Sequence, residues 1–120
     1  MRKILAVDDS VTMRHLVTLS LRQAGYEVVE ATDGLEALAK LEATRFDLVI
    51  TDLHMPGLDG TGLIRRVRAL SSYRFTPILM LTTESDASRK AEGQAAGATG
   101  WIVKPFQPEQ LLKVIKRVLP

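Results

Sequence analysis

The chain has 120 residues, 46% hydrophobic and 25% charged, with a formal net charge of +2, a length that buries one core and leaves no room for a second domain. No apolar stretch approaches the roughly 18 residues that cross a bilayer, and Met1-Arg2-Lys3 leads into a short apolar run rather than a signal-peptide core, so a cytoplasmic protein without membrane contact is expected. The absence of cysteine excludes disulfides, thiolate metal sites and thiol catalysis; two histidines are too few for a histidine metal centre, and basic residues interleaved with acids, with no aromatic platform, argue against nucleic acid.

Residues 4–7, ILAV, predict a buried strand ending at Asp8 and Asp9. Ser10 is placed to cap a helix whose inward face is Met13, Leu16, Val17, Ser20, Leu21 and Ala24, with Gly25 ending it at C′. Residues 26–31, YEVVEA, predict a second strand. After the Asp33-Gly34 turn, Leu35, Leu38 and Leu41 share one side of a short helix that gives out before Asp47. Residues 48–51, LVIT, carry no polar alternation, as in a strand buried on both faces, and deliver Asp52 to its carboxyl edge.

Pro56, Gly57 and Gly60 punctuate the following loop, and Leu63, Ile64, Val67 and Leu70 stripe a third helix. Pro77 opens a fourth strand, Ile78 to Leu81, with Thr82 and Thr83 at its edge. Residues 85–96 form the weakest helix: Ala87, Ala91 and Ala95 share a face without a large apolar anchor, and Gly93 costs about 1 kcal/mol against alanine. Gly97 and Gly100 lead to a fifth strand, 101–103, which ends at Lys104-Pro105. Pro108 suits the first turn of a last helix striped by Leu111, Leu112, Ile115, Val118 and Leu119, although Gln107 is a poor cap. Strands alternating with helices throughout predict an α/β fold, a doubly wound five-stranded parallel sheet.

In such a sheet the residues just past the strand ends converge, which makes neighbours of Asp8, Asp9, Asp52, Thr82 and Lys104. Two carboxylates about 4 Å apart repel by about 4 kcal/mol at an effective dielectric near 20, so a proton or a cation must relieve three of them. Oxygen-only donors suit Mg²⁺, and Lys104 with the Thr82 hydroxyl suits an anion. A carboxylate nucleophile, a hard cation, an ammonium and a hydroxyl are the equipment of phosphoryl transfer, with Asp52, alone on the central strand, as the candidate acceptor.

The stretches AVDDS at 6–10, ITDLHMPGLDG at 50–60, MLTTE at 80–84 and AGATGWIVKPF at 96–106 resemble response-regulator receiver domains, most of all the single-domain CheY-type regulators of bacterial chemotaxis. Each stretch alone is a weak pattern; the four in this order span the whole chain. The resemblance implies a flavodoxin-like three-layer sandwich with strand order 2-1-3-4-5. It implies that Asp52 is phosphorylated by a sensor histidine kinase, and that Mg²⁺ is held by Asp9, Asp52 and the His54 main-chain carbonyl, with Asp8 acting through a metal-bound water. Lys104 would pair with the phosphoryl group, Thr82 would reach for it on activation, and Trp101 would be the aromatic switch. The Lys104-Pro105 peptide is similar to one that is cis in the family.

Residues 1–120 are thus expected to be one receiver domain with no output domain: a monomer that is no enzyme beyond transfer to its own Asp52 and the loss of that phosphoryl group. It would signal to a separate partner such as a flagellar switch component, with a phosphatase as a further partner. Arg89, Lys90, Lys113, Lys116 and Arg117 would favour an acidic partner. A phosphorelay intermediate outside chemotaxis is the alternative. A Mg²⁺-dependent aspartyl-phosphate phosphohydrolase fits less well, since such enzymes place the nucleophile on the first strand, and a flavin carrier would need Ser, Thr and Gly where AVDDS presents two charges.

Where relatives often have asparagine, His54 stands, and its side chain is a candidate to alter the rate of phosphoryl loss. Thr83 replaces a common alanine and is expected to narrow the path of water to the acyl phosphate. Asp59 and Glu84 read as loop and capping residues rather than metal ligands, and His15 as a surface residue.

Overall fold

The computed structural model describes residues 2–83 and 87–120. Strands β1 (Lys3–Val7), β2 (Glu27–Ala31), β3 (Leu48–Asp52), β4 (Ile78–Thr82) and β5 (Gly100–Val103) alternate with helices α1 (Val11–Gln23), α2 (Gly34–Ala43), α3 (Gly60–Ala69), α4 (Ala87–Ala96) and α5 (Pro108–Val118). All strand pairs are parallel, in the order β2-β1-β3-β4-β5. Fold class and strand order are therefore those anticipated. No helix among the described residues is long and apolar enough to cross a membrane.

Two cores follow from the two-residue period of the strands. Leu5, Val7, Val49 and Met80 point to the side covered by α2 and α3, where Phe46, Leu63, Ile64 and Val67 close the layer. Ile4, Ala6, Ile50, Leu79 and Leu81 point to the other side, against Val17 and Leu21 of α1 and Leu111 and Ile115 of α5. Every residue of β3 and β4 is buried, which is why neither strand shows polar alternation.

The helix starts are set by local chemistry. Ser10 Oγ accepts from Met13 N–H at 3.2 Å, Asp33 Oδ1 from Glu36 N–H at 2.8 Å, and Asp59 Oδ1 from Gly62 N–H at 2.8 Å. Asp59 is thus a capping residue. At the start of α5, Gln107 and Gln110 form a capping box in which Gln110 Oε1 accepts from Gln107 N–H at 2.8 Å. Gly25, at φ +95°, ends α1 as expected.

Three helix faces differ from the sequence pattern. On α1, Leu16 is 37% exposed and Ala24 faces solvent, while Thr18 is buried. Arg14 draws its side of the helix inward, donating to Glu30 of β2 and to the Asp8 carbonyl, both at 2.9 Å, and Leu16 turns out in consequence. On α2, Leu35 is exposed because the capped first turn sets Gly34, Ala37 and Leu41 inward. On α4, Ala87, Ala91 and Ala95 face solvent, and the buried residue is Gly93.

Gly93 is a point of close approach. A Cβ there would collide with the Met80 sulfur, a side chain that is fully buried. The helix lacks an apolar anchor, as predicted, and rests on the sheet through its glycine. The first part of the expected 85–96 helix, residues 85 and 86, lies outside the described residues, as does Glu84.

Gly60 makes a comparable approach at the site end of the sheet. Its N–H donates to Leu53 O at 3.1 Å, and a Cβ would meet the Asp52 carbonyl oxygen and, at 2.7 Å, Leu53 Cα. Backbone cannot yield as a side chain can, so Gly60→Ala is expected to lower unfolding free energy by about 1–3 kcal/mol in urea titration. Gly62→Ala, whose nearest neighbour is the flexible Leu58 side chain, is expected to cost less; equal stability of both variants and wild type would contradict the packing described.

Candidate functional site

Because β1 and β3 are neighbours in register, with Val7 opposite Thr51, their ends bring Asp8 and Asp52 side by side and Asp9 to the rim. One carboxylate oxygen from each lies within 4.8 Å of the others. Asp8 is 2% and Asp52 5% exposed, whereas Asp9 is open to solvent.

Lys104, just beyond β5, reaches across the end of β4 and donates to Asp52 Oδ1 at 3.0 Å. Its backbone N–H donates to the Thr82 carbonyl at 2.6 Å, which ties the lysine to the strand it crosses. The Lys104-Pro105 peptide is cis. Thr82 is 1% exposed, and its hydroxyl oxygen has no hydrogen-bond partner among the described residues.

Asp8 is divided between two environments. Oδ1 accepts from Ser10 N–H at 2.9 Å; Oδ2 is buried without a hydrogen bond among the described residues, with the Lys104 ammonium 4.0 Å away. Burial pushes the Asp8 carboxyl above its ordinary value, and the charges of Asp52 and Asp9 push the same way, outweighing the Ser10 N–H and Lys104. One ammonium does not neutralise three carboxylates. The donor set, all oxygen and partly orphaned, fits a small hard cation.

His54 is exposed on the loop beyond β3 and lines, with Asp9, Gly57, Asp59 and Arg89, a concavity of about 430 Å³. Thr83, following β4, is half-buried. Trp101 pairs in register with Met80 and is 39% exposed on edge strand β5. The five sequence-predicted residues at the sheet edge are therefore brought to one end of the sheet, and His54 to its rim.

Sequence reasoning missed the residues that support them. Arg14 braces the Asp8 carbonyl, Thr51 Oγ1 donates to the Asp52 carbonyl at 2.9 Å, Arg89 lies 3.8 Å from Asp59 across the concavity, and the Lys90 ammonium sits 3.9 Å from the centre of the Trp101 ring. The first two are local contacts without a periodic signature; the last two join separate elements, and only the basic character of α4 hinted at them.

The family model described as the response regulator receiver domain matches residues 4–116. The chain is 40% identical over 117 residues to the chemotaxis protein CheY of Pseudomonas aeruginosa, covering 97% of this chain and 94% of that protein. It is 38% identical over 117 residues to the transcriptional regulatory protein ResD of Bacillus subtilis, covering 98% of this chain and 48% of that one. The solved structure of the chemotaxis response regulator CheY4 of Vibrio cholerae is similar with a TM-score of 0.94 and 56% identity, covering 99% of both chains.

A carboxyl raised on folding holds a proton that the unfolded chain has released, so its contribution to stability is fullest below the ordinary value of 3.8 and is lost as pH rises through the raised value. Without divalent cations, Asp8→Asn is accordingly expected to be more stable than wild type in urea at pH 7, with the difference closing towards acid. A wild type equal to the variant at both ends of the pH range would contradict the strain assigned to Asp8.

Proposed function

The chain belongs to the response-regulator receiver domain family, and on that premise we propose that it accepts a phosphoryl group from a sensor histidine kinase on Asp52, with Mg²⁺, and thereby changes its affinity for a separate partner in chemotaxis. The observation that carries this reading is the buried Asp52 carboxylate, bonded by Lys104 at 3.0 Å and crowded by two further aspartates.

Asp52 attacks the phosphorus of the donor phosphohistidine, an O–P bond forms as the P–N bond breaks, and the imidazole leaves with the electron pair. Lys104 already faces the attacking carboxylate and is placed to meet the negative charge that arrives on the phosphoryl oxygens. Held by Asp9, Asp52 and the His54 main-chain carbonyl, with Asp8 in support, Mg²⁺ would supply the remaining charge neutralisation. Pre-positioning and electrostatics suffice for such a transfer, which needs no general base beyond the ionised acceptor.

The Thr82 hydroxyl, buried without a partner among the described residues, has a donor to give to a phosphoryl oxygen. Thr82 and Trp101 lie on the same face of adjacent strands, since Thr82 pairs with Val103 and Met80 with Trp101. Movement of Thr82 towards the phosphate therefore frees room on the face where the indole lies. Arg89 of α4 and Lys113, Lys116 and Arg117 of α5 are exposed and suit an acidic partner, such as a flagellar switch component. Chemotaxis is favoured because the chain is 56% identical to the chemotaxis response regulator CheY4, against 38% to the transcriptional regulator ResD. A phosphatase is a further partner of the same class of site.

Addition of Mg²⁺ and then beryllofluoride is expected to change the emission of the single tryptophan in wild type and not in Asp52→Asn; an equal response in both would place the anion elsewhere. Thr83→Ala is expected to shorten the lifetime of the acyl phosphate by widening the approach of water. An unchanged dephosphorylation rate would remove that role from Thr83.

A further inference from the structure

The indole of Trp101 is not simply left at the surface. Lys90, on α4, places its ammonium 3.9 Å from the ring centre, close enough for direct attraction between a cation and the electron-rich face of the ring. Lys90 precedes Gly93 by three residues and so shares its side of the helix, the side that meets Met80, and Met80 is the register partner of Trp101. The closest approach of α4 to the sheet thus sets the ammonium over the indole. Gly93 is the one fully buried residue in the described part of α4, and the cation–ring contact adds a link from the helix to β5.

We propose that Lys90 is a positioning residue for the switch: its ammonium holds Trp101 outward and lowers the population of the active form. The inference rests on the receiver reading above, in which the indole turns inward when Thr82 moves to the phosphoryl group. An outward indole keeps the cation on its face and an inward one gives it up. At a partly exposed site such a contact biases the two positions by about two- to five-fold. Neutralising Lys90, by substitution or by acylation of its amine, would then release the switch without touching the acidic pocket.

The sign of the effect separates this role from simpler ones. If Lys90 served only as a nearby positive charge, removing it would weaken binding of an anion at Asp52. If it holds the inactive form, removing it tightens that binding, because less work is needed to reach the active form. Wild type, Lys90→Gln and Lys90→Arg are titrated with beryllofluoride in Mg²⁺, and the single tryptophan, labelled with fluorine, is followed by ¹⁹F resonance with and without ligand.

Lys90→Gln is expected to bind beryllofluoride about two- to five-fold more tightly than wild type, and its metal-free resonance to lie nearer the ligand-bound position. Lys90→Arg keeps the cation and is expected to match wild type in both. Unchanged or weaker binding in Lys90→Gln, with wild type responding normally, overturns the role of Lys90 alone. So does a shift of equal size in Lys90→Arg. A wild type whose resonance ignores beryllofluoride overturns the switch role of Trp101 and the latch built on it, while the receiver reading stands or falls on phosphorylation of Asp52.

Discussion

The ion pair between Lys104 and Asp52 is the contact on which the site depends. Three carboxylates within 4.8 Å are not a stable arrangement on their own, and the lysine is the one cation bonded to the group among the described residues. Its origin explains much of the fold. β3 and β5 are separated by β4, roughly 10 Å apart at two strand spacings, a gap that the Lys104 stem and the Asp52 side chain close together through their 3.0 Å contact. Crossing the end of β4, the stem is held there by the bond from its own N–H to the Thr82 carbonyl. A pair spanning three strands ties the ends of β3, β4 and β5 together.

The pair is also incomplete, and the incompleteness has a use. Asp8 is pushed towards its protonated form, and among the described residues one of its oxygens and the Thr82 hydroxyl lack a hydrogen bond. Each is a small free-energy cost carried by the resting protein, and under the proposed function each would be relieved by a ligand of the right sign: a cation for the aspartates, a phosphoryl oxygen for the threonine. The rest of the molecule is built to hold this strain. β3 and β4 are wholly buried, the α3 N-terminus abuts the Asp52 carbonyl through Gly60, and Arg14 braces the Asp8 carbonyl from α1. Against that stiff half, α4 carries one fully buried residue, a glycine, with Ala96 beside the core and contacts from Arg89 and Lys90, and so is less tightly held than the other helices.

Much of this was legible in the sequence, and the reasons are physical. Unbroken apolar runs at 48–51 and 78–81 could only be strands covered on both faces, and that alone placed Asp52 and Thr82 at one edge. The Asp8-Asp9 pair and Lys104 followed from the same topology. What was not legible was orientation within helices. Leu16 and Leu35 fit an inward stripe by spacing, yet Arg14 and the Asp33 cap rotate their helices so that both face outward. The alanines of α4 misled in the same way, because the residue that fits the sheet is the one without a side chain. Cross-element contacts such as Lys90 on Trp101 leave no periodic trace, and only the assembled fold brings them together.

The most direct test of the account is the mass of the Asp52-containing peptide after the protein is incubated with Mg²⁺ and acetyl phosphate, with and without borohydride trapping of the acyl phosphate. The account predicts one phosphoryl group on Asp52 of wild type, Mg²⁺-dependent and absent from Asp52→Asn. Phosphate on another residue, or none on Asp52 under conditions in which a known receiver is modified, would contradict it.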